Sequence, residues 1–358
     1  MAASVPGTTS PTLRGVWLIG TLVLTLAAFA VMIVAAPAVG AEPDRGLTWL
    51  LFIGSSTHVA STGWFFSRPQ VRGYARARPG RYLVAPALLV VGTALLAGLV
   101  APQRFAWLLL GFFAWQFFHF QKQNVGLAVL AGVSESAGRV SPAERWALIA
   151  AGLAGIVGLL AHPELLQLDV RPAGRVAFPI AASMLAAAVV TGVVLLARRP
   201  RAERPPAYVA IYLTGLLFFV PVFVFRSPYA AVAGITVAHG LQYLLLVGLV
   251  AAGDADRQRR AISLAVLLVV AVLGGIALDA ASHQHDADGF VRVVFGAYLG
   301  LVMAHFVVDA GLWRLRDQFP RQMMRARVPY LMGVPGVMDL PSGPGGNGQN
   351  GHPGSPTD

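Results

Sequence analysis

Four of the eight histidines in this 358-residue chain stand in apolar surroundings: His58 in SSTHVASTGW, His119 in WQFFHFQKQN, His239 in VAHGLQY and His305 in AHFVVDAGLW. An imidazole in a low-dielectric segment is costly unless its nitrogens find partners, so such residues default to a functional reading. The chain has no cysteine. Thiolate metal sites, Cys-ligated iron–sulfur clusters, disulfides and covalent haem attachment are therefore excluded. What remains is nitrogen and oxygen ligation, which suits iron, copper or zinc. Each histidine also has polar company three or four positions away, on its own helical face. Ser55, Ser61 and Thr62 flank His58; Gln116, Lys122 and Gln123 flank His119; Thr236, Gln242 and Tyr243 flank His239; and Asp309 lies one turn after His305. These residues could fix the tautomers of metal-bound imidazoles.

The elements that carry the histidines are read from composition. The chain is 56% hydrophobic and 12% charged, with mean hydropathy +0.66, where soluble domains carry about 25% charged residues. A helix needs about 20 apolar residues to cross the hydrocarbon. Ten segments qualify: 16–39, 47–66, 82–100, 105–132, 143–161, 176–197, 207–225, 228–252, 261–279 and 290–313. The expected fold is an all-α, polytopic transmembrane bundle over 16–313. A short N-terminal tail (1–15) precedes it, and a basic, then Gly/Pro-rich and disordered tail (314–358) ends the chain. The first segment is too long for the apolar core of a signal peptide and reads as a retained span.

Orientation is set by the basic residues. With the N-terminus in the cytoplasm, 20 of the 27 Lys and Arg fall in inner segments and six in outer ones, with Lys122 inside a span. An even number of spans then puts both termini in the cytoplasm. The net charge of +11 sits in these short loops, which argues against nucleic acid as a partner. Heavy use of Ala, Arg and Gly beside one lysine points to a GC-rich bacterial genome, and so to the plasma membrane.

All four histidines lie on even-numbered spans, which run in one direction, and each is 11 to 15 residues in from its span's outer end. At about 1.5 Å per residue they share a level near mid-membrane. Lys122 and Asp309 are also matched in depth, and an ion pair between them, direct or linked by water, is expected just inward of the histidines. Tyr243, Asp309 and Lys122 are the candidate catalytic residues, and His58, His119, His239 and His305 the candidate metal ligands. A second possible site is the outer-loop run HQHDAD, with His283, His285, Asp286 and Asp288.

Three functions suit this pattern. One is an Fe(II) oxygenase with a four-histidine site acting on a lipid-soluble substrate; another is a protein that binds haem b for electron transfer or haem modification. The third is a transporter with a histidine-lined path. The order and depth of His58, His119 and His239 on alternate helices resemble the Brp/Blh membrane carotenoid oxygenases over about the central two-thirds of the chain. That resemblance implies an all-helical fold, four transmembrane histidines on one iron and an apolar polyene substrate. In that family two ligands lie one turn apart on a late helix, whereas here Tyr243 stands four after His239, leaving His305 to complete the set. The runs HFQKQNVG, HGLQY and AHFVVDAGLWRLRD look more like uncharacterised bacterial polytopic proteins with intramembrane histidines. Haem A synthase is similar in placing four histidines on alternate spans, but here the two halves do not repeat around them.

Overall fold

The computed structural model describes residues 10–38, 41, 43–170, 176–284 and 289–333. Fourteen α-helices are formed among them, and no strand. In chain order they are α1 (Ser10–Val34), α2 (Arg45–Phe52), α3 (His58–Ser61), α4 (Pro69–Arg76), α5 (Ala85–Leu99), α6 (Pro102–Ser134) and α7 (Pro142–Ala161). The second half holds α8 (Ala177–Arg198), α9 (Pro206–Leu217), α10 (Val220–Val224), α11 (Gly234–Ala252), α12 (Arg257–Ser282), α13 (Gly289–Leu312) and α14 (Gln318–Arg327).

Seven helical segments among the described residues are long and apolar enough to cross a membrane: Thr12–Val34, Gly80–Leu99, Pro142–Ala161, Ala177–Arg198, Tyr229–Ala252, Arg257–Ser282 and Val291–Leu312. The other three expected segments are helical but interrupted or polar. Residues 45–67 pass from α2 through a π-helical turn at Ile53–Thr57 to α3 and then a 3₁₀ turn at Thr62–Ser67. The 33-residue α6 contains the polar run Gln121–Asn124, which lowers its hydropathy. The segment 207–225 breaks between α9 and α10, where Pro221 cannot donate the interior helix bond.

Large apolar side chains on the outward faces are exposed, as Leu88 on α5 (67%) and Leu268 and Leu273 on α12 (65% and 63%) are. Contiguous exposed apolar surface of this kind marks a lipid environment. Inside, small residues let helices approach closely. Gly296 and Gly300 form a GxxxG step on α13. An added Cβ would fall 2.6 Å from Ala97 Cβ at the first, and 2.7 Å from the Leu89 carbonyl oxygen at the second. This seats α13 on α5 and fixes the helix that carries His305. Glu144 closes a capping box with Ser141 at the start of α7 and receives the Arg199 guanidinium at 2.6 Å, with both side chains buried.

The chain after Trp313 does not leave the bundle at once. Helix α14 and the 3₁₀ turn Pro329–Leu331 pack back onto it, with Met324, Val328 and Leu331 fully buried. Arg327 pairs with Asp254 at 2.6 Å, and Phe319 stacks on Tyr74 at 4.3 Å. The basic segment 314–333 therefore packs against the bundle. The Gly/Pro-rich stretch 334–358 lies outside the described residues.

Candidate metal centre

The four histidines converge. His58 begins α3, His119 lies on α6, His239 on α11 and His305 on α13. Ring centroids are 5.0 Å apart for His58–His239 and 5.2 Å for His58–His305. For His119–His239 and His119–His305 they are 5.1 and 5.2 Å. The rings thus form a closed quadrilateral. His58, His239 and His305 are buried and His119 is half-buried.

Two local features bring the rings together. A π turn carries one residue more per turn than the α-helix and so re-aims the side chains beyond it. One ends directly before His58, and another (Tyr229–Ala233) leads into α11 and His239. The two helices also touch backbone to backbone. A Cβ on Gly240 would fall 2.6 Å from the carbonyl carbon of Gly54, and one on Gly54 would fall 2.5 Å from Val237 Cα. Only glycine fits at either point, and the crossing lies next to both His58 and His239. Aromatic rings close the flanks: Phe120 stacks on His239 at 3.9 Å and Phe306 on His119 at 4.5 Å.

Hydrogen bonding at the site is uneven. His305 Nδ1 meets Thr62 Oγ1 at 2.7 Å, Thr62 Oγ1 meets the Tyr243 hydroxyl at 2.8 Å, and that hydroxyl donates to Asp309 Oδ1 at 2.8 Å. With Asp309 as a carboxylate, only one proton order satisfies the chain. Tyr243 donates to Asp309 and accepts from Thr62, and Thr62 in turn accepts from His305 Nδ1–H. His305 Nε2 is then a bare lone pair facing the cluster. By contrast, His58 Nδ1 and Nε2, His119 Nε2, His239 Nδ1 and Nε2, and His305 Nε2 are buried with no hydrogen-bond partner.

That pattern weighs against histidines that merely pack. An unsatisfied buried polar group costs about 1–3 kcal/mol. Six such atoms would cost roughly 6–18 kcal/mol, as much as the whole stability of a typical domain. Ligation through one nitrogen of each ring removes the cost for four of the six. Two donor sets are close enough for it, each with all its atoms within 4.8 Å: His58, His239 and His305, and His119, His305 and Asp309. The donors are nitrogen and oxygen only, as the absence of cysteine requires.

The remaining expected site residues divide. Tyr243 and Asp309 belong to the site. Lys122 does not: it is exposed, while Asp309 is buried and bonded to Tyr243, so a direct Lys122–Asp309 ion pair does not form. Ser55, Ser61 and Thr236 donate to carbonyls of their own helices. Thr62, expected to serve His58, serves His305 instead. Gln123 donates to the His239 carbonyl oxygen and to Gln242 Oε1, each at 3.0 Å, and Gln242 donates to Thr25. The glutamines thus brace α11 rather than its imidazole. In the HQHDAD run, His283 caps its own helix at the Asp279 carbonyl, and His285, Asp286 and Asp288 lie outside the described residues. Sequence reasoning misses Gly54 and Gly240, although the glycine directly after His239 in VAHGLQ is an available sign.

No protein-family model matches the chain, and no curated relative and no solved structure is significantly similar to it. The likeness to the carotenoid oxygenases therefore rests on the placement of the histidines alone.

Proposed function

We propose that this chain is a multi-pass membrane metalloprotein of the bacterial plasma membrane, with ten spans and both termini in the cytoplasm. His58, His119, His239 and His305 hold one Fe(II), and the protein is an oxygenase for a lipid-soluble substrate. The observation that carries the reading is the set of six buried, unpartnered imidazole nitrogens on four touching rings. The ten-span count is supported by the three interrupted or polar helical segments that accompany the seven apolar ones, and by the bias of Arg toward alternate loops.

Bound iron would supply redox chemistry toward dioxygen at this point. The chain's own residues do the rest. Thr62 holds the proton of His305 on Nδ1 and keeps Nε2 free for ligation, Tyr243 fixes Thr62, and Asp309 anchors Tyr243. Phe120 and Phe306 keep the rings in place and exclude water. His119 is the half-buried member, flanked by Phe306 and by Trp115, which is 37% exposed. That side, between α6 and α13, is where an apolar substrate approaches from the bilayer.

The same packing favours iron over haem. A porphyrin between two axial imidazoles needs a flat slot extending past both rings. Here Phe120 lies 3.9 Å from His239 and Phe306 lies 4.5 Å from His119. The experiment is metal analysis with an optical spectrum of protein purified in detergent. About one iron per chain without a Soret band is expected. A Soret band would replace the reading with haem binding, another metal in place of iron would overturn the iron assignment, and a chain that takes up neither metal nor haem would leave the histidines without a metal role.

A further inference from the structure

We infer that Asp309 is itself a ligand of the metal, so that the centre is a four-histidine, one-carboxylate site in which His119, His305 and Asp309 form a two-histidine, one-carboxylate face. The inference rests on the proposed metal centre and goes beyond it in naming a ligand from outside the histidine set.

Three observations meet on this carboxylate. Its Oδ2 lies 3.7 Å from His305 Nε2, one turn back on α13. That is too long for a hydrogen bond, and both atoms face the same space. Two donors 3.7 Å apart can each sit about 2.1 Å from one ion, subtending an angle of about 120° at it. His119, His305 and Asp309 also place their donor atoms within 4.8 Å of one another, and this combination is the facial set of many non-haem Fe(II) oxygenases.

Charge is the second point. Asp309 is 3% exposed and, among the described residues, has no Arg or Lys in ion-pair distance. A buried carboxylate that keeps its charge needs a counter-charge. Four neutral imidazoles around Fe(II) need the reverse, since they leave two positive charges in a low-dielectric interior. Each deficiency is the other's remedy. The other buried acid among the described residues, Glu144, is already engaged with Arg199.

The third is the bond to the far oxygen. Tyr243 donates to Oδ1 at 2.8 Å, leaving Oδ2 for the metal. Ligating carboxylates are held in this way by a hydrogen bond to the oxygen that does not bind.

The test is a Co(II) titration of the full chain, stripped of metal in detergent, read through its visible ligand-field bands. Unmodified protein should bind one Co(II), and His58→Ala should not. In Asp309→Asn, which keeps the shape and an acceptor for Tyr243, affinity should fall at least about tenfold and the bands should move. Asp309→Asn with unchanged affinity and bands, beside an unmodified chain that binds, would refute the carboxylate ligand and leave the histidine site standing. An unmodified chain that binds no Co(II) would overturn both. Should Asp309→Asn fail to fold, infrared difference spectra of the unmodified chain carrying 13C-aspartate decide the matter. An isotope-sensitive carboxylate band that shifts on Co(II) addition supports ligation, and its absence refutes it.

Discussion

Replacing Gly240 by alanine adds one methyl group some distance from any metal-binding atom, yet it should dismantle the centre. The new Cβ would lie 2.6 Å from the Gly54 carbonyl carbon and 2.8 Å from Gly54 Cα, and ordinary contact begins at 3.4 Å. The backbones must therefore part by at least about 0.8 Å. No flexible side chain can absorb this, because both partners are main chain. His58 is four residues beyond Gly54 and His239 adjoins Gly240, so the gap is transmitted to their rings. Metal sites tolerate errors of about 0.2 Å in ligand distance, a quarter of the enforced shift. Overpacking of this kind costs about 1–3 kcal/mol, which leaves the protein folded. Co(II) affinity, measured by titration in detergent, should drop by a factor of about 10 to 100 or more. Gly248→Ala is the control: it lies on the same helix, and an added Cβ there meets nothing within 4 Å, so affinity should be unchanged. If Gly240→Ala bound Co(II) with the affinity and bands of the unmodified protein, the reasoning that the Gly54–Gly240 crossing sets the His58–His239 geometry would be wrong.

Thr62→Val removes the acceptor for His305 Nδ1–H while keeping the shape of the side chain. Co(II) affinity should fall about 10- to 100-fold, and Thr62→Ser should restore most of it. Saturating metal should raise the thermal midpoint, since ligand at about 1,000 times its dissociation constant adds about 4 kcal/mol; in His239→Ala the same addition should give no shift. Glu144→Ala leaves the Arg199 guanidinium buried without its carboxylate. A loss of about 3–5 kcal/mol is expected, read as a lowered thermal midpoint, and a midpoint unchanged from the unmodified chain would show that the pair is dispensable. Arg327→Ala should loosen α14 from Asp254 and speed proteolytic cleavage within 314–333, with Co(II) binding intact.

Some of this protein was determined by sequence alone. Low charge and long apolar runs point to a helical bundle in lipid, because hydrocarbon satisfies no backbone group and a continuous apolar run of about 20 residues satisfies its own only as a helix. That four histidines on separate helices share one level was legible for the same reason, since depth along a helix is simple counting at a fixed rise. Rotation about the helix axis and the identity of neighbours were not legible. Lys122 lies three positions after His119, hence about 60° around α6 from it. Only the packing of α6 decides that this angle turns the ammonium outward, away from Asp309. Thr62 shares the helix of His58, but the π turn at Ile53–Thr57 and the 3₁₀ turn from Thr62 onward change the periodicity, so spacing assigned it to the wrong imidazole. The Gly54–Gly240 crossing pairs residues 186 positions apart in the chain, and no helical period relates them. Tertiary structure alone made four histidines of similar depth into one cluster, because convergence depends on which helices touch and on how closely two glycines let them approach.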